Sequence, residues 1–296
     1  AGPDIRQLVL RSEGRMGILT RAIVRIRPLP DVNEIHGVFF PSWNHARQAV
    51  QTLVQSKIPL SMVRLSNPQE TRVNLALAGH EQQIKWLKRY LKLRGIDPNP
   101  ACMCLIGYIG SRRQARGAKS DAGSIIGRFK GITVGKRIGN AWKKNRFRSA
   151  YLRNTLWELG YAVDTLETAV NWDKVTDTMV QVENGLKQAL NSVNEPILAF
   201  SHLSHVYATG SSIYTTVVFR LADTPQKSLE RWRTLKQAAS RVIVEAGGTI
   251  SHHHGIGKDH SPYLEAEKGP IGINTLDQVF SYLDPHRQMN PGKLLP

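Results

Sequence analysis

The chain predicts an α+β fold, a sheet covered by helices. Residues 35–110 and 160–250 each mix strand-like and helix-like stretches. The 41% hydrophobic fraction supplies a buried core and argues against wholesale disorder. No run of about 18 apolar residues is present, so no membrane span is expected. At 296 residues the chain is long enough for one large domain or two ordinary ones.

The elements follow from the local pattern. Residues 5–27 hold two apolar runs around a glycine-punctuated turn. Within them ILTRAIVRI (18–26) alternates with a period near two and is expected to be a half-buried strand, ended by Pro28 and Pro30. IHGVFFP (35–41) is a second strand. In 42–56, Ser42 is an N-cap, and Ala46, Val50, Leu53 and Val54 share one helical face. LSMVRL (60–65) is a strand, His80–Arg94 an amphipathic helix stopped by Gly95, and ACMCLIGYIG (101–110) a buried strand. Cys102 and Cys104 then point to one face as small core residues, with no disulfide framework, which suggests a reducing compartment.

The Gly- and Arg-rich stretch 111–140 has weak periodicity and is expected to be loop-rich. Ser149–Leu159 is helical up to Gly160, 161–169 is a strand, and Thr176–Leu190 is helical. ILAFSHLSHVY (197–207) and SSIYTTVVFRL (211–221) are strands joined at Gly210. Pro225–Glu245 is a long helix ended by Gly247 and Gly248, and 274–283 is a last helix.

Charge is the strongest compositional fact: 40 Lys and Arg against 23 Asp and Glu, a net +17. Twelve basic residues and one acid, Asp121, lie between Ser111 and Arg148. Such a stretch is either a solvated face or an anion-attracting patch over a site or at a membrane surface. No RNA-recognition aromatic motif, zinc-finger spacing or helix-turn-helix signature accompanies it, so nucleic acid is not the expected partner.

Several motifs then line up in order. SEGRMGILTRAIVRIRPLP (12–30), GGTISHHHGIGK (247–258) and DPHRQMNPGKLL (284–295) resemble segments of the vanillyl-alcohol oxidase, or FAD-linked oxidase, superfamily. Residues 12–30 are similar to the end of its flavin-binding domain, and the other two to its C-terminal end. Within the superfamily, three features resemble the alkyldihydroxyacetonephosphate synthase (alkylglycerone-phosphate synthase) branch. They are the triple histidine before GIGK, the run AYLRNTLWELGYAVDTLETAVNW (150–172), and SSIYTTVVF (211–219). The 2-hydroxyacid branch has Gly-Glu-His in place of the triple histidine.

The resemblance implies a C-terminal cap domain with an antiparallel sheet. Residues 1–30 would end the FAD-binding domain, 31–245 form the cap, and 246–296 return to the flavin. The pyrophosphate-cradling loop that precedes the SEG motif in the family is absent, so the chain reads as a C-terminal portion that needs an N-terminal FAD-binding domain. The implied activity exchanges the acyl group of acyl-dihydroxyacetonephosphate for a fatty alcohol through a flavin N5 adduct. The alternative is an FAD-dependent 2-hydroxyacid or alcohol dehydrogenase of the D-lactate or glycolate type. FAD is the implied cofactor; a lipid phosphate and a fatty alcohol are the implied substrates. A cytoplasmic location with peripheral contact to an anionic membrane is expected, peroxisomal in a eukaryote. A homodimer stays open.

The site residues follow from that resemblance. Tyr214 is the catalytic candidate, because a held tyrosine hydroxyl can carry the substrate's C1 proton when cations lie close by. His252, His253 and His254 are candidates for the active-site wall, where imidazolium stabilises phosphate or carboxylate charge. Arg153 suits a phosphate through its planar fork, and His202 and His205 are candidates to face substrate. Glu13, Gly14, Gly17 and Ile18 of the SEG segment, with Arg64, are implied flavin contacts. Arg11 and Arg15 depart from the usual small residues there. For each residue the alternative is an ordinary packed or solvated side chain. No metal is expected: His202 and His205 at i, i+3 would lie on opposite strand faces, and neighbouring histidines on one stretch cannot all address one ion, with no Cys or carboxylate cluster joining them.

Overall fold

The computed structural model describes residues 2–79, 81–147 and 149–295. His80 of the expected second helix and Arg148 of the basic stretch lie outside the described residues. Seven strands form one sheet in which every pairing is antiparallel: β1 (Val32–Phe40), β2 (Leu60–Ser66), β3 (Cys102–Gly110), β4 (Ile132–Gly135), β5 (Tyr161–Asn171), β6 (Leu198–Leu203) and β7 (Gly210–Arg220). Their order is β4-β1-β3-β2-β6-β7-β5.

Strand alternation sorts the sheet into two faces. On the first, Val38, Phe40, Leu65, Cys102, Cys104 and Ile106 pack against α2 (Trp43–Gln55) and α5 (Arg112–Arg128). Further along that face Leu166, Val217 and Phe219 pack against α8 (Val175–Ala189) and α9 (Pro225–Glu245). The cysteines are free and buried, side by side with aliphatics, as their spacing implies. On the second face, Phe39 and Met103 meet Leu75 of α3 (Pro68–Leu77), Leu87 and Leu91 of α4 (Glu81–Leu93), and Ile138 of α6 (Lys136–Asn145). Beyond β2 the same face carries Ser66, His202, Tyr214 and Glu167 as one cross-strand row. Tyr214, Thr216 and Val218 there stay half-buried.

The remaining helices are α1 (Arg6–Val9), α7 (Ser149–Glu158) and α10 (Leu264–Leu283), the last kinked at Gly269–Pro270. Ile250, Leu264, Phe280, Leu294 and Leu295 share the core of β5, β7, α8 and α9, so the chain after residue 245 is packed into the sheet's own core.

Four expectations are corrected. Residues 17–30 form no strand: Ile23 is 100% exposed, and the segment pairs with no described strand. Alternation alone makes no strand without a partner for its backbone groups. The stretch 111–140 is ordered as α5, β4 and α6 rather than loop-rich. Ala115, Ala118, Ala122, Ile125 and Ile126 are its buried helical stripe, and Ser111 and Gln114 cap it reciprocally. Its glycines mask a packing device: a Cβ at Gly139 of α6 would fall 2.0 Å from the Ile35 carbonyl oxygen. Helix α3 is additional, started by Asn67 and Pro68. The C-terminal helix begins at Leu264, not at 274.

Candidate functional site

Glu167 is the centre of the site. It lies on β5, directly opposite Tyr214 of β7, which lies opposite His202 of β6. Strand β6 ends at Leu203, and the chain turns at Ser204, so His205 comes round to the Glu167 side. The expectation that His202 and His205 part to opposite faces is thereby corrected: alternation stops where the strand stops. His205 Nδ1 and Ser204 Oγ each lie 3.2 Å from Glu167 Oε1.

The triple histidine arrives along the outer side of β5. Thr249 N–H donates to the Ala169 carbonyl at 3.2 Å, and His252 N–H to the Glu167 carbonyl at 2.9 Å. The Thr168 hydroxyl donates to the Thr249 carbonyl at 2.8 Å. This fixes the three imidazoles differently. His252 is buried, with Nε2 2.9 Å from the Tyr207 hydroxyl and Nδ1 3.4 Å from Glu167. His253 is exposed and stacks on His205 at 4.7 Å. His254 is exposed, 3.8 Å from Glu167 Oε2, with its ring edge-on to Tyr214 at 5.2 Å. Tyr214 is stacked on its other side by His202 at 4.7 Å.

The turn after the histidines is held by Glu13. Its carboxylate accepts from the Ile256 and Gly257 amides, and its carbonyl accepts from the Asn290 side chain. Gly255 sits at φ +80°, with space for a Cβ closed by the Glu13 carboxylate at 3.0 Å. The Glu13 side chain is therefore a tie between two loops, and Gly14, at φ +79°, lies beside Asn290. Gly17 at φ +132° and Ile18 open to solvent. Arg15 is buried, its guanidinium over the Phe280 ring at 5.4 Å.

A second carboxylate supports the row. Glu70, at the third position of α3, accepts from Arg64 at 2.8 Å and lies 2.9 Å from His202 Nδ1. Burial works against the Glu70 charge, yet His202 and Arg64 beside it hold the carboxyl down at about 2. Burial pushes His202 below the ordinary imidazole range against the pull of Glu70. Glu70 and His202 titrate as a coupled pair in which the carboxyl loses its proton before the imidazole. Burial likewise opposes the Glu167 charge; a hydrogen bond from Ser212 and the charges of His252 and His205 overcome it and lower that carboxyl. His252 is lowered by burial and by His205 and His253, despite Glu167.

Glu167, His205, His252 and His253 offer ligand atoms that all lie within 4.8 Å of one another. The argument that consecutive histidines lack a joining carboxylate is corrected, since Glu167 joins them. This set has the donors to hold a cation; the exposed imidazoles and Tyr214 have the donors to hold an anion.

Arg153 is not part of this cluster in the described contacts. It is exposed on α7 and lines a groove of about 650 Å³ with Trp157, Phe219 and Trp232. Glu70, Glu167, Ser204 and Tyr207 were absent from the sequence candidates. Two of them carried a signal: NPQE (67–70) is a helix-start pattern, and Glu167 sits inside the DTLETAVNW run.

The chain belongs to the family of FAD linked oxidases, C-terminal domain, whose model matches residues 29–294. Among individual relatives, it is 26% identical to an alkyldihydroxyacetonephosphate synthase of Dictyostelium discoideum over 302 residues, covering 100% of this chain and 49% of that protein. A solved alkyldihydroxyacetonephosphate synthase shares the fold with a TM-score of 0.79 at 24% identity, covering 99% of this chain and 51% of the other. The mitochondrial D-lactate dehydrogenase (cytochrome) of Arabidopsis thaliana is 24% identical over 100% of this chain and 48% of its own length. The chain thus spans about half the length of these relatives.

Proposed function

We propose that this chain is the substrate half of an FAD-dependent enzyme of the alkyldihydroxyacetonephosphate synthase type, exchanging the acyl group of acyl-dihydroxyacetonephosphate for a fatty alcohol. One observation carries this: Tyr214 is held between His202 and His254, at the margin of a histidine cluster gathered on Glu167. As the phenolate, a tyrosine so placed can take the C1 proton, becoming the phenol, and return it. The exposed His253 and His254 and the half-exposed His205 are proposed to hold the phosphate. His252 and Glu167 position them. Arg153, exposed on α7, is proposed as a further anion contact.

The residues fit a flavin. Gly14, Gly17 and Ile18 present exposed backbone and apolar surface, and Gly14 follows Glu13, which holds the histidine turn. When bound, FAD would supply an electrophilic carrier for the substrate carbon, so substitution needs no net redox change. Gly14, Gly17, Ile18 and the turn at 254–257 are proposed to line it, together with an N-terminal FAD-binding domain. Arg64 is proposed to act through Glu70 and His202. Peripheral contact with an anionic membrane fits lipid substrates and the net +17.

The test is label transfer from a fatty alcohol by the full-length enzyme. Tyr214→Phe is expected to lose at least about 100-fold with the fold intact by circular dichroism. His253→Ala and His254→Ala are expected to abolish transfer without unfolding. Wild-type turnover in these variants would overturn the assignment, and dye-coupled oxidation of D-lactate or glycolate would establish the dehydrogenase reading instead.

A further inference from the structure

Helix α4 has two apolar stripes, and a core packs against only one. Ile84, Leu87 and Leu91 turn inward, with Leu91 1% exposed. Trp86, Tyr90 and Leu93, spaced i, i+4, i+7, turn outward and are 66%, 39% and 86% exposed. A surface helix ordinarily shows a single apolar stripe with a polar opposite face. Here the opposite face is aromatic and aliphatic, edged by exposed Lys85, Arg89, Lys92 and Arg94. Glu81 is the one acid between residues 81 and 95. The basic groups drape the rings: the Arg89 guanidinium is 5.4 Å from the Trp86 centroid. That of Arg94 is 5.7 Å from the Tyr90 centroid and donates to its hydroxyl at 2.9 Å.

We propose that the outer face of α4 docks on an anionic lipid bilayer, with Trp86, Tyr90 and Leu93 seated at the headgroup–acyl boundary and the four basic residues on the headgroups. Tryptophan and tyrosine favour that boundary because each has an apolar body and a polar tip. Long basic side chains reach past them to the phosphates. Charge complementarity alone would also suit a nucleic acid, but an outward leucine in line with the rings gains from acyl chains and not from a phosphate backbone. Helix α4 covers the same sheet face that carries the Tyr214 row, so docking there sets the site beside the membrane. This surface gives the membrane contact proposed above a place in the fold and is independent of the catalytic step; vesicle binding is measured without substrate, so either can fail alone.

The experiment is co-sedimentation of the purified protein with phosphatidylcholine vesicles, with and without about one-third phosphatidylserine, at low and high salt. The protein is expected to prefer the anionic vesicles. Replacing Trp86, Tyr90 and Leu93 together by serine should lower partitioning at least about tenfold, with melting unchanged because all three are exposed. The combined Lys85→Glu, Arg89→Glu and Lys92→Glu variant should lose the anionic preference. Brominated lipid should quench tryptophan fluorescence in the wild type, and Trp86→Phe should remove most of that quenching. Undiminished binding by the triple-serine variant, no anionic preference, or preferential binding of duplex DNA that this variant retains would each overturn the proposal.

Discussion

Two buried carboxylates organise everything the site presents. Glu167 gathers His205, His252 and His254, while Glu70 holds His202 beside Tyr214 directly and is itself paired with Arg64. Removing the Glu70 charge leaves Arg64 without its acid partner. We expect Glu70→Gln to cost about 3 kcal/mol at neutral pH, read from denaturant unfolding. The sign of the pH dependence follows from the direction of the shift. A carboxyl lowered on folding stabilises the protein fully above its ordinary value of 4.5, and that stability is lost as pH falls toward about 2. The gap between wild type and Glu70→Gln should therefore close over that acid range. Each of these two residues sits in a recognisable run, yet its role as an organising carboxylate was not legible in the sequence. An isolated glutamate is ordinarily a surface residue, and only the pairing of β5 with β7 and of β6 with β2 reveals what each one meets.

Elements were read well where a period survives. The Ser42 cap, the buried β3 run and the long helix at 225–245 follow from the local residue pattern. Glycine and arginine hid α5, because they break the look of a helix while its five small and aliphatic residues keep the spacing. Ser111→Ala removes one arm of its capping box and should cost about 1 kcal/mol, visible in thermal melts. The triple histidine was found by resemblance, but its placement depends on a tie that no spacing announces. Glu13→Ala should free the Ile256 and Gly257 amides, so that hydrogen exchange of those two amides rises while α9 stays protected.

For the molecule as a whole, the core is complete but one segment is not served by it. Ile18, Ile23, Ile26 and Leu29 are 81–100% exposed across residues 18–29, with Arg21, Arg25 and Arg27 between them. Trypsin is expected to cut first at Arg21 and Arg25, Arg27 being shielded by the proline that follows it, and an added N-terminal FAD-binding domain to protect them, as mass spectrometry of early fragments would record. No helix among the described residues is long and apolar enough to cross a membrane. The outermost strand on the site side is β5. An open strand margin invites a second molecule to add its own strand and seed aggregates. In this chain the residues from Thr249 to His252 lie along that margin and occupy its carbonyls at Ala169 and Glu167. The segment that delivers the imidazoles is thus also the guard against edge-to-edge polymerisation, so a lesion that dislodges it should cost solubility together with chemistry.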